Sequence, residues 1–263
     1  MDCLAPLAMT KMATQPLALI TGASAGLGVD FARQLSAKGY RLVLAARRAD
    51  RLEALAAELG NARAVAIDLS ETGAAAKLLA NVAGAGEKIE LLVNNAGFGL
   101  RGRFTDLDAG RQREMIDLNI GALTDLCRAV APEMAERGSG GILNVASTAA
   151  FQPGPNMAVY FATKAYVLSF TEALHEEMKP FGVKVSALCP GPTKTEFGAV
   201  AGFTKDTFDR LSMGSAEVVA IGLKALERNR AVAIAGATNR VGAYSTRFLP
   251  RSIVRKIAGA LKL

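Results

Sequence analysis

The stretch "LALITGASAGLG", residues 17–28, combines a short apolar run with a glycine-rich segment. Its first five residues form a short apolar run, which predicts a buried strand. The glycines that follow, in the pattern GxxxGxG, allow a tight turn and a close approach of the backbone to a ligand. If a helix begins at the end of this turn, its free amide groups can meet a pyrophosphate. The candidate contacts of a dinucleotide in this turn are Gly22, Ser24, Gly26, Leu27 and Gly28.

Short apolar runs continue to alternate with longer segments that have helical spacing. Near-continuous apolar strands between amphipathic helices predict a parallel sheet covered on both faces. We therefore expect a single α/β domain with a doubly wound Rossmann fold, whose ligands lie beyond the carboxyl ends of the strands. With 17–21, the predicted strands of this roughly seven-stranded sheet are 41–46, 63–67, 89–94, 141–146, 183–189 and 231–235.

The chain divides into three predicted parts. Residues 1–15 are expected to form a flexible N-terminal tail, 16–236 a dinucleotide-binding catalytic domain, and 237–263 a C-terminal extension. Within the domain, 190–214 is long for a connection in a compact fold, which favours a loop that covers the substrate. An apolar lid and a core-facing helix are alternative explanations for its large side chains, which are Phe197, Phe203, Phe208, Leu211 and Met213.

Composition narrows the classes of protein. No apolar run approaches the ~20 residues that a membrane span needs, and the N-terminus carries an acid where a signal peptide carries bases. We therefore expect a cytoplasmic protein. Cys127 and Cys189 lie in apolar surroundings that indicate reduced core thiols, and no spacing typical of metal ligands occurs, so no metal is expected. His175, the only histidine, has charged neighbours, which favours a solvated helix position over a hydrolase triad.

The formal net charge is +7, an excess that favours anionic ligands such as phosphates, thioester carriers or a membrane surface. Nucleic acid is not expected as a partner. The chain contains no tryptophan and only 6% aromatic residues, and no basic run has interleaved aromatics on which bases could stack.

An arginine pair follows the second predicted strand. NAD-specific dinucleotide folds usually place an acid there to bind the ribose 2′-hydroxyl, but the sequence has Ala46 followed by Arg47 and Arg48. Guanidinium groups suit a 2′-phosphate, so the pattern predicts a preference for NADP(H) over NAD(H). Two solvated arginines before a helix are the simpler explanation.

Polar residues also follow the third and fourth strands. Asp68 could cap the next helix or reach the adenine of a cofactor. The sequence "NNAG" ends strand four, and Asn95, Ala96 and Gly97 are candidates for a close backbone contact with the cofactor, although a tight turn would also explain them.

Tyr160 and Lys164, in "YFATK", are four residues apart and share one face of a predicted helix. Ser147 ends strand five, thirteen residues before Tyr160, so both are expected at the same crevice. Asn119 lies inside a predicted long helix, 113–137, where asparagine is a poor helix former. Each residue alone has an ordinary structural explanation, such as a buried tyrosine beside a solvated lysine.

Together, "TGASAGLG", "NNAG", Asn119, Ser147, "YFATK" and "PGPTKT" occur in the order and spacing of the short-chain dehydrogenases/reductases, which the chain resembles over roughly residues 16–235. The resemblance implies hydride transfer at a nicotinamide with a catalytic set of Asn119, Ser147, Tyr160 and Lys164. It also implies that Tyr160 and Lys164 contact the cofactor, and that Pro190, Gly191, Thr193 and Thr195 pack against it. Stiffening of a strand exit by two prolines would explain "PGP" as well.

A tyrosine with a pKa near ~10 must lose about three pKa units to work near neutrality, which amounts to ~4 kcal/mol. A cation about 4 Å away, at an effective dielectric constant of ~20, supplies a similar energy. We therefore expect Lys164 to lower the pKa of Tyr160 by stabilising its phenolate, helped by the positive nicotinamide ring of the oxidised cofactor, while its ammonium also holds the nicotinamide ribose. By resemblance, Ser147 holds the substrate oxygen and Asn119 binds a water that links Lys164 to solvent.

The extension contains a basic amphipathic helix. Leu249, Ile253, Ile257 and Leu261 recur every four residues with Val254 beside them, while Arg251, Arg255 and Lys262 fall on the opposite side. Packing on the protein body or a sister subunit is the preferred explanation for 247–263, and contact with an anionic membrane or an acidic carrier protein are the alternatives. The resemblance implies a homodimer or homotetramer.

The substrate class is left open between a ketone, an aldehyde and a 3-oxoacyl group, reduced reversibly. Two alternatives to a free-ketone reductase remain: an NADP-binding regulatory or scaffold protein with little turnover, and a carrier-bound 3-oxoacyl reductase.

Overall fold

A computed structural model describes residues 15–202 and 212–260. Seven parallel strands form one sheet in the order β3-β2-β1-β4-β5-β6-β7, so the predicted doubly wound fold is confirmed. The strands are β1 Leu17–Thr21, β2 Arg41–Ala46, β3 Ala62–Ala66, β4 Ile89–Asn94, β5 Gly141–Val145, β6 Lys184–Cys189 and β7 Val232–Ile234. Each lies within one or two residues of its predicted bounds.

Helices cover both faces of the sheet. They are α1 Leu27–Ala37, α2 Ala49–Leu59, α3 Ala74–Gly84, α4 Ala109–Ile116, α5 Leu123–Glu136, α6 Ala158–Met178, α7 Phe197–Ala201, α8 Ser215–Glu227, α9 Ala237–Ser245 and α10 Arg251–Ala260. The predicted helix over 113–137 is divided, because a π-helical segment, Asp117–Ala122, separates α4 from α5.

Successive strand residues pack on opposite faces of the sheet, as the two-residue period of a strand requires. In β1, Leu17 and Leu19 pack against the layer that contains α3, α5 and α6. Ala18 and Ile20 pack against the layer that contains α1, α2 and α8. Because β1 is buried on both faces, its sequence reads as a continuous apolar run, and the turn that follows it is held rigidly at the sheet edge.

The two predicted core thiols are found where expected: Cys127 and Cys189 are free and buried. Burial raises the pKa of each thiol to about 12. The prediction for His175 was wrong. It is only 5% exposed, and its Nδ1 lies 2.7 Å from the Val185 carbonyl oxygen, since α6 turns this face of the helix onto β6 rather than towards solvent.

Among the helices of the described residues, none has both the length and the hydropathy needed to cross a bilayer. In the same part of the chain, no group of three or more His, Cys, Asp or Glu side chains is arranged to hold a metal ion.

Candidate active site

A cleft of about 820 Å³ is lined by residues that directly follow β1, β2, β4, β5 and β6, at the carboxyl ends of the strands. Ser147, Tyr160 and Lys164 lie in its wall. Of the predicted cofactor contacts, the cleft is also lined by Gly22, Ser24, Gly26, Leu27, Arg47, Arg48, Asp68, Asn95, Ala96, Gly97, Pro190, Gly191, Thr193 and Thr195. Gly28 and Asn119 are buried directly behind the wall and support it.

The glycine turn connects β1 tightly to α1. A Cβ on Gly28 would lie 2.2 Å from the carbonyl oxygen of Gly22, so only glycine lets the helix begin this close to the turn. Among the described residues, no side chain caps the N-terminus of α1, where Gly26 is the N-cap residue. Uncapped amide groups beside a cleft fit an anionic group such as a pyrophosphate.

The arginine pair stands at the same end of the cleft. Arg48 donates from Nε to Ser24 Oγ at 3.2 Å and from Nη1 to Glu196 Oε2 at 2.9 Å. Arg47 Nη1 lies 3.5 Å from Asp68 Oδ2 and 3.3 Å from Glu114 Oε1. Both guanidinium groups are therefore already paired with carboxylates, and a phosphate would compete with these acids for them.

Asp68 does not cap the next helix, because α3 begins at Ala74 with Gly73 as its N-cap residue. Its Oδ1 instead accepts hydrogen bonds from the backbone N and the hydroxyl of Ser70, at 2.9 and 2.6 Å. Burial acts to raise the pKa of Asp68, but the hydrogen bonds from Ser70 and the nearby Arg47 lower it overall. Asp68 is therefore an ionised group in the cleft wall.

Thr21, which sequence reasoning missed, holds the turn after β4. Its hydroxyl oxygen accepts from the backbone N of Asn95 and of Ala96, each at 3.0 Å. Asn95 Nδ2 in turn donates to the Thr21 carbonyl at 2.9 Å. These bonds join the ends of two neighbouring strands, which fixes the backbone of the "NNAG" turn in the cleft wall.

Asn119 lies in the π-helical segment and is 1% exposed. Its Oδ1 accepts from Phe98 N at 3.1 Å, while its Nδ2 donates to Phe98 O at 3.0 Å and to Thr163 Oγ1 at 3.1 Å. A Cβ on Gly97 would lie 2.8 Å from Asn119 Oδ1. Glycine at 97 therefore allows Asn119 to fix the loop after β4 to α6, the helix that carries Tyr160 and Lys164.

Tyr160, Lys164 and Ser147 converge where α6 crosses the end of β5. Lys164 Nζ donates to the Val145 carbonyl at 2.8 Å and lies 5.9 Å from the centre of the Tyr160 ring. Ser147 Oγ accepts from Ala149 N at 3.1 Å, and its hydroxyl hydrogen-bonds with Tyr160, an interaction that lowers the pKa of the phenol.

The pKa expected for Tyr160 was wrong in direction. Burial raises the pKa of Tyr160 to about 12, and the hydrogen bond from Ser147 offsets only part of this rise. Burial also lowers the pKa of Lys164 to about 8. Loss of water is the largest cause of the shift at both groups, a cost that the distance-based argument omitted.

The loop after β6 closes the cleft from the other side. The Pro190 carbonyl accepts from Thr148 N at 2.8 Å, and the Thr193 hydroxyl donates to the Gly191 carbonyl at 2.9 Å. A Cβ on Gly26 would meet the Thr195 side chain at 2.9 Å. The "PGPTKT" segment therefore lies directly against the glycine turn.

The end of the cleft beyond Tyr160 is largely apolar, and the sequence analysis missed most of its lining. Phe197 was predicted near the substrate, and its ring centre lies 5.4 Å from that of Tyr160. The other large apolar residues there are Phe98, Met157, Phe161 and Val200, with Gln152 and Arg101 as polar neighbours. Met213 pairs with Thr193, whereas Phe203, Phe208 and Leu211 lie outside the described residues.

Comparisons with known proteins agree with this geometry. A family model described as short chain dehydrogenase matches residues 16–206. A serine 3-dehydrogenase of Rhizobium radiobacter is 36% identical over 199 residues, which cover 74% of this chain and 80% of the relative.

Two solved structures are similar along most of their length. A short-chain dehydrogenase from Sphingobium yanoikuyae in complex with NADPH has a TM-score of 0.79 and 35% identity, covering 89% of this chain and 93% of that one. A bulky-bulky ketone specific alcohol dehydrogenase from Comamonas testosteroni has a TM-score of 0.75 and 31% identity, covering 89% and 92%.

The chain belongs to the short-chain dehydrogenase family. It is an NAD(P)-dependent oxidoreductase that acts on CH–OH or C=O groups. Members of this family act on small molecules and are commonly oligomeric.

Proposed function

We propose that this protein is an NADPH-preferring reductase of a ketone, an aldehyde or a 3-oxoacyl group, reversible as an alcohol dehydrogenase, with Tyr160 as its acid and base. The observation that carries the proposal is the composition of one continuous cleft. Tyr160, Ser147 and Lys164 lie beside its apolar end, while an arginine pair, with no carboxylate at Ala46, lies at the other.

The cofactor would be held by the backbone of the glycine turn, the "NNAG" turn and the "PGPTKT" loop, with Arg47 and Arg48 on its 2′-phosphate. The uncapped N-terminus of α1 offers hydrogen-bond donors to the cofactor's pyrophosphate, and the glycines of the wall carry no side chains that would keep it away. When bound, the nicotinamide supplies the hydride that reduces the carbonyl carbon.

Tyr160 donates a proton to the carbonyl oxygen as that oxygen gains charge. A pKa of about 12 keeps the phenol protonated throughout the neutral range, so the acid is present in its active form before reaction. Ser147 donates a second hydrogen bond to the same oxygen. The alcohol product forms with one new O–H bond, and the Tyr160 phenolate then regains a proton.

Lys164 stabilises that phenolate by its positive charge, and its ammonium also holds the nicotinamide ribose. Its low pKa suits this role, because a partly dehydrated ammonium gains strongly from a new negative partner. Asn119 positions the Phe98 backbone and Thr163 on α6. We propose that Asn119 also binds a water that links Lys164 to solvent.

An apolar, bulky substrate is favoured by the large side chains around Tyr160, namely Phe98, Met157, Phe161, Phe197 and Val200. The similarity to a bulky-ketone alcohol dehydrogenase supports the same class. We further propose that 190–214 covers the bound substrate within the catalytic domain 16–236.

NADPH oxidation across matched panels of aldehydes, small and bulky ketones, and free and carrier-linked 3-oxoacyl thioesters tests the proposal. We expect turnover that is greatest with bulky apolar carbonyls and is faster with NADPH than with NADH at limiting cofactor. Turnover only with carrier-linked thioesters would favour the carrier-bound reductase, and cofactor binding without any turnover would favour a regulatory role.

The double variant Arg47→Ala/Arg48→Ala tests the cofactor preference separately. Charge-assisted hydrogen bonds are worth about 1.5–3 kcal/mol each, so we expect the Kd for NADPH to rise at least about tenfold while that for NADH changes little. Arg33→Ala, which removes an arginine paired with Glu58 outside the cleft, is the matched control. An equal loss for both cofactors would contradict the assignment.

We also propose a homodimer or homotetramer that pairs through the helical segment containing Asn119 and through α6, which contains Tyr160. Tyr166 on α6 supports this. It is exposed, stacks on Phe170 at 5.8 Å, and its hydroxyl lies 3.0 Å from that of Thr124. Light scattering of Tyr166→Glu should give a smaller assembly than wild type.

A further inference from the structure

The C-terminal extension carries almost all of the chain's excess charge. Residues 237–263 contain six arginines and lysines and no acid, in a chain whose formal net charge is +7. The five cations in the described part are all exposed: Arg240, Arg247, Arg251, Arg255 and Lys256. Within the described residues, none of these five lies in a salt bridge. Their charge is therefore available to an external anionic partner.

The same segment exposes large apolar side chains. Phe248 is 86% exposed and Val241 is 71% exposed, so packing in the protein interior explains neither side chain. Across the described residues, six of the ten exposed large hydrophobic residues lie here: Val241, Tyr244, Phe248, Leu249, Ile253 and Ile257. We call these six side chains and the five cations the tail surface.

Only part of the expected apolar face of α10 packs on the protein body. Val254 and Ala258, one turn apart, are buried, and Gly259 lies against Pro155. The four-residue stripe of that face, Leu249, Ile253 and Ile257, is exposed, because the buried residues lie one position further along the helix. The preferred interpretation of the sequence was packing on the protein body or a sister subunit: Val254 and Ala258 do pack on the body, and packing of the exposed stripe on a sister subunit stays a prediction.

We propose that the tail surface docks the protein onto an anionic lipid bilayer. Exposed apolar side chains on one side of a helix, with cations on the other side, are the pattern of helices that lie in the bilayer interface. A second copy of the chain fits poorly, since two surfaces with the same concentrated positive charge repel each other. Phe248 also projects singly rather than lining a groove, which suits insertion between lipids better than docking into a partner protein.

The tail surface also adjoins the cleft. Asn239 on α9 leaves no room for a Cβ on Gly191, a residue of the cleft wall, and α10 reaches Pro155, two residues before Met157 in the same wall. Docking through this surface would bring the apolar end of the cleft close to the bilayer, where apolar carbonyl compounds concentrate.

Co-sedimentation of the full chain with vesicles tests the proposal and needs no turnover or cofactor. We expect binding to phosphatidylcholine vesicles that contain phosphatidylglycerol, little binding to phosphatidylcholine alone, and release by salt. Arg247→Glu/Arg251→Glu should lower the partition coefficient by at least about tenfold. Lys77→Glu/Lys88→Glu changes the net charge equally outside the tail surface and should bind like wild type.

The apolar part is tested by Phe248→Ser, with Phe181→Ser, another exposed phenylalanine, as its control. We expect only Phe248→Ser to weaken vesicle binding, and thermal unfolding should show that all four variants are folded. No binding to anionic vesicles, or equal loss in the control variants, would overturn the proposal. Binding to poly-glutamate but not to vesicles would overturn it in favour of an acidic protein, and a smaller assembly for Phe248→Ser without vesicle binding would indicate self-association.

Discussion

The two ends of the cleft differ in how far their ionisable groups are exposed to water. At the catalytic end, Tyr160 and Lys164 are 7% and 6% exposed. Burial raises the pKa of Tyr160 and lowers that of Lys164, which favours the neutral form of each group. At the other end, the side chains of Arg47 and Arg48 are 56% and 40% exposed and share carboxylates with their neighbours. Changes at the buried end should therefore have large effects, and changes at the exposed end small, salt-dependent ones.

Tyr160→Phe should have the largest effect. Loss of a general acid typically costs 10²–10⁴-fold, so we expect kcat to fall by about a thousandfold. The ring and its contact with Phe197 remain, so the Kd for NADPH, measured by fluorescence titration, should change little. Tyr166→Phe, on the exposed face of the same helix, is the matched control. Loss of cofactor binding together with turnover would contradict the assigned role.

Asn119→Leu should destabilise the fold as well as the site. The change leaves Phe98 N and Phe98 O without their side-chain partners in a buried place, at about 1–3 kcal/mol for each group. We expect urea unfolding to show a loss of about 2–6 kcal/mol and turnover to fall. Asn81→Ala, an exposed asparagine on α3, should cost less than about 1 kcal/mol; an equal loss there would remove the argument.

Lys164→Met should change how stability depends on pH. The Lys164 pKa is about 8 in the folded state against 10.5 in the unfolded chain, so between these values the unfolded state binds more protons and stability rises with pH. This contribution is full above about pH 10.5 and is lost as pH falls towards 8. It amounts to about 3 kcal/mol.

Only the difference between wild type and Lys164→Met isolates this lysine, because the raised pKa values of Tyr160, Cys127 and Cys189 act in the opposite direction at high pH. Urea unfolding at pH 8 and pH 10 should show wild type gaining stability relative to the variant. Parallel curves would mean that the ammonium is not desolvated. Lys184→Met, an exposed lysine, is the control.

How much of the cleft the sequence could predict depends on how far apart in the chain the interacting residues lie. The strands and the glycine turn follow from local pattern, because β1 is buried on both faces and Gly28 must touch Gly22. Placement of Tyr160 beside Lys164 follows from one helical turn. The directions of the Tyr160 and Lys164 pKa shifts do not follow from the local sequence, because these residues are buried by the packing of α6, β5 and the loop after β4.

Contacts between distant segments were likewise missed. Thr21 binds the "NNAG" turn 74 residues away, and Glu196 pairs with an arginine that is 148 residues earlier in the chain. His175 shows the same limit, because its charged neighbours in sequence are not its neighbours in space. A linear pattern identifies which residues carry the chemistry but not which distant partners hold them.

Glu196→Gln should have the smallest effect, and it sharpens the comparison at the exposed end. Glu196 accepts from Arg48 at 2.9 Å and from Arg51 at 2.6 Å, and these two hydrogen bonds lower its pKa. Its carboxylate therefore stays ionised at neutral pH and competes with any phosphate for the Arg48 guanidinium. Replacing the carboxylate by an amide of the same shape removes the charge and weakens this competition, although the amide oxygen still accepts a hydrogen bond.

An exposed ion pair is worth about 0.2–1 kcal/mol, so we expect Glu196→Gln to tighten NADPH binding by up to about fivefold and to leave NADH binding unchanged. The gain should shrink as salt is added, since both groups are exposed. Glu58→Gln, which breaks the pair with Arg33, should alter neither cofactor's Kd. Weaker NADPH binding in Glu196→Gln would instead mean that Glu196 holds Arg48 in its binding position, so that the two exposed charges cooperate rather than compete.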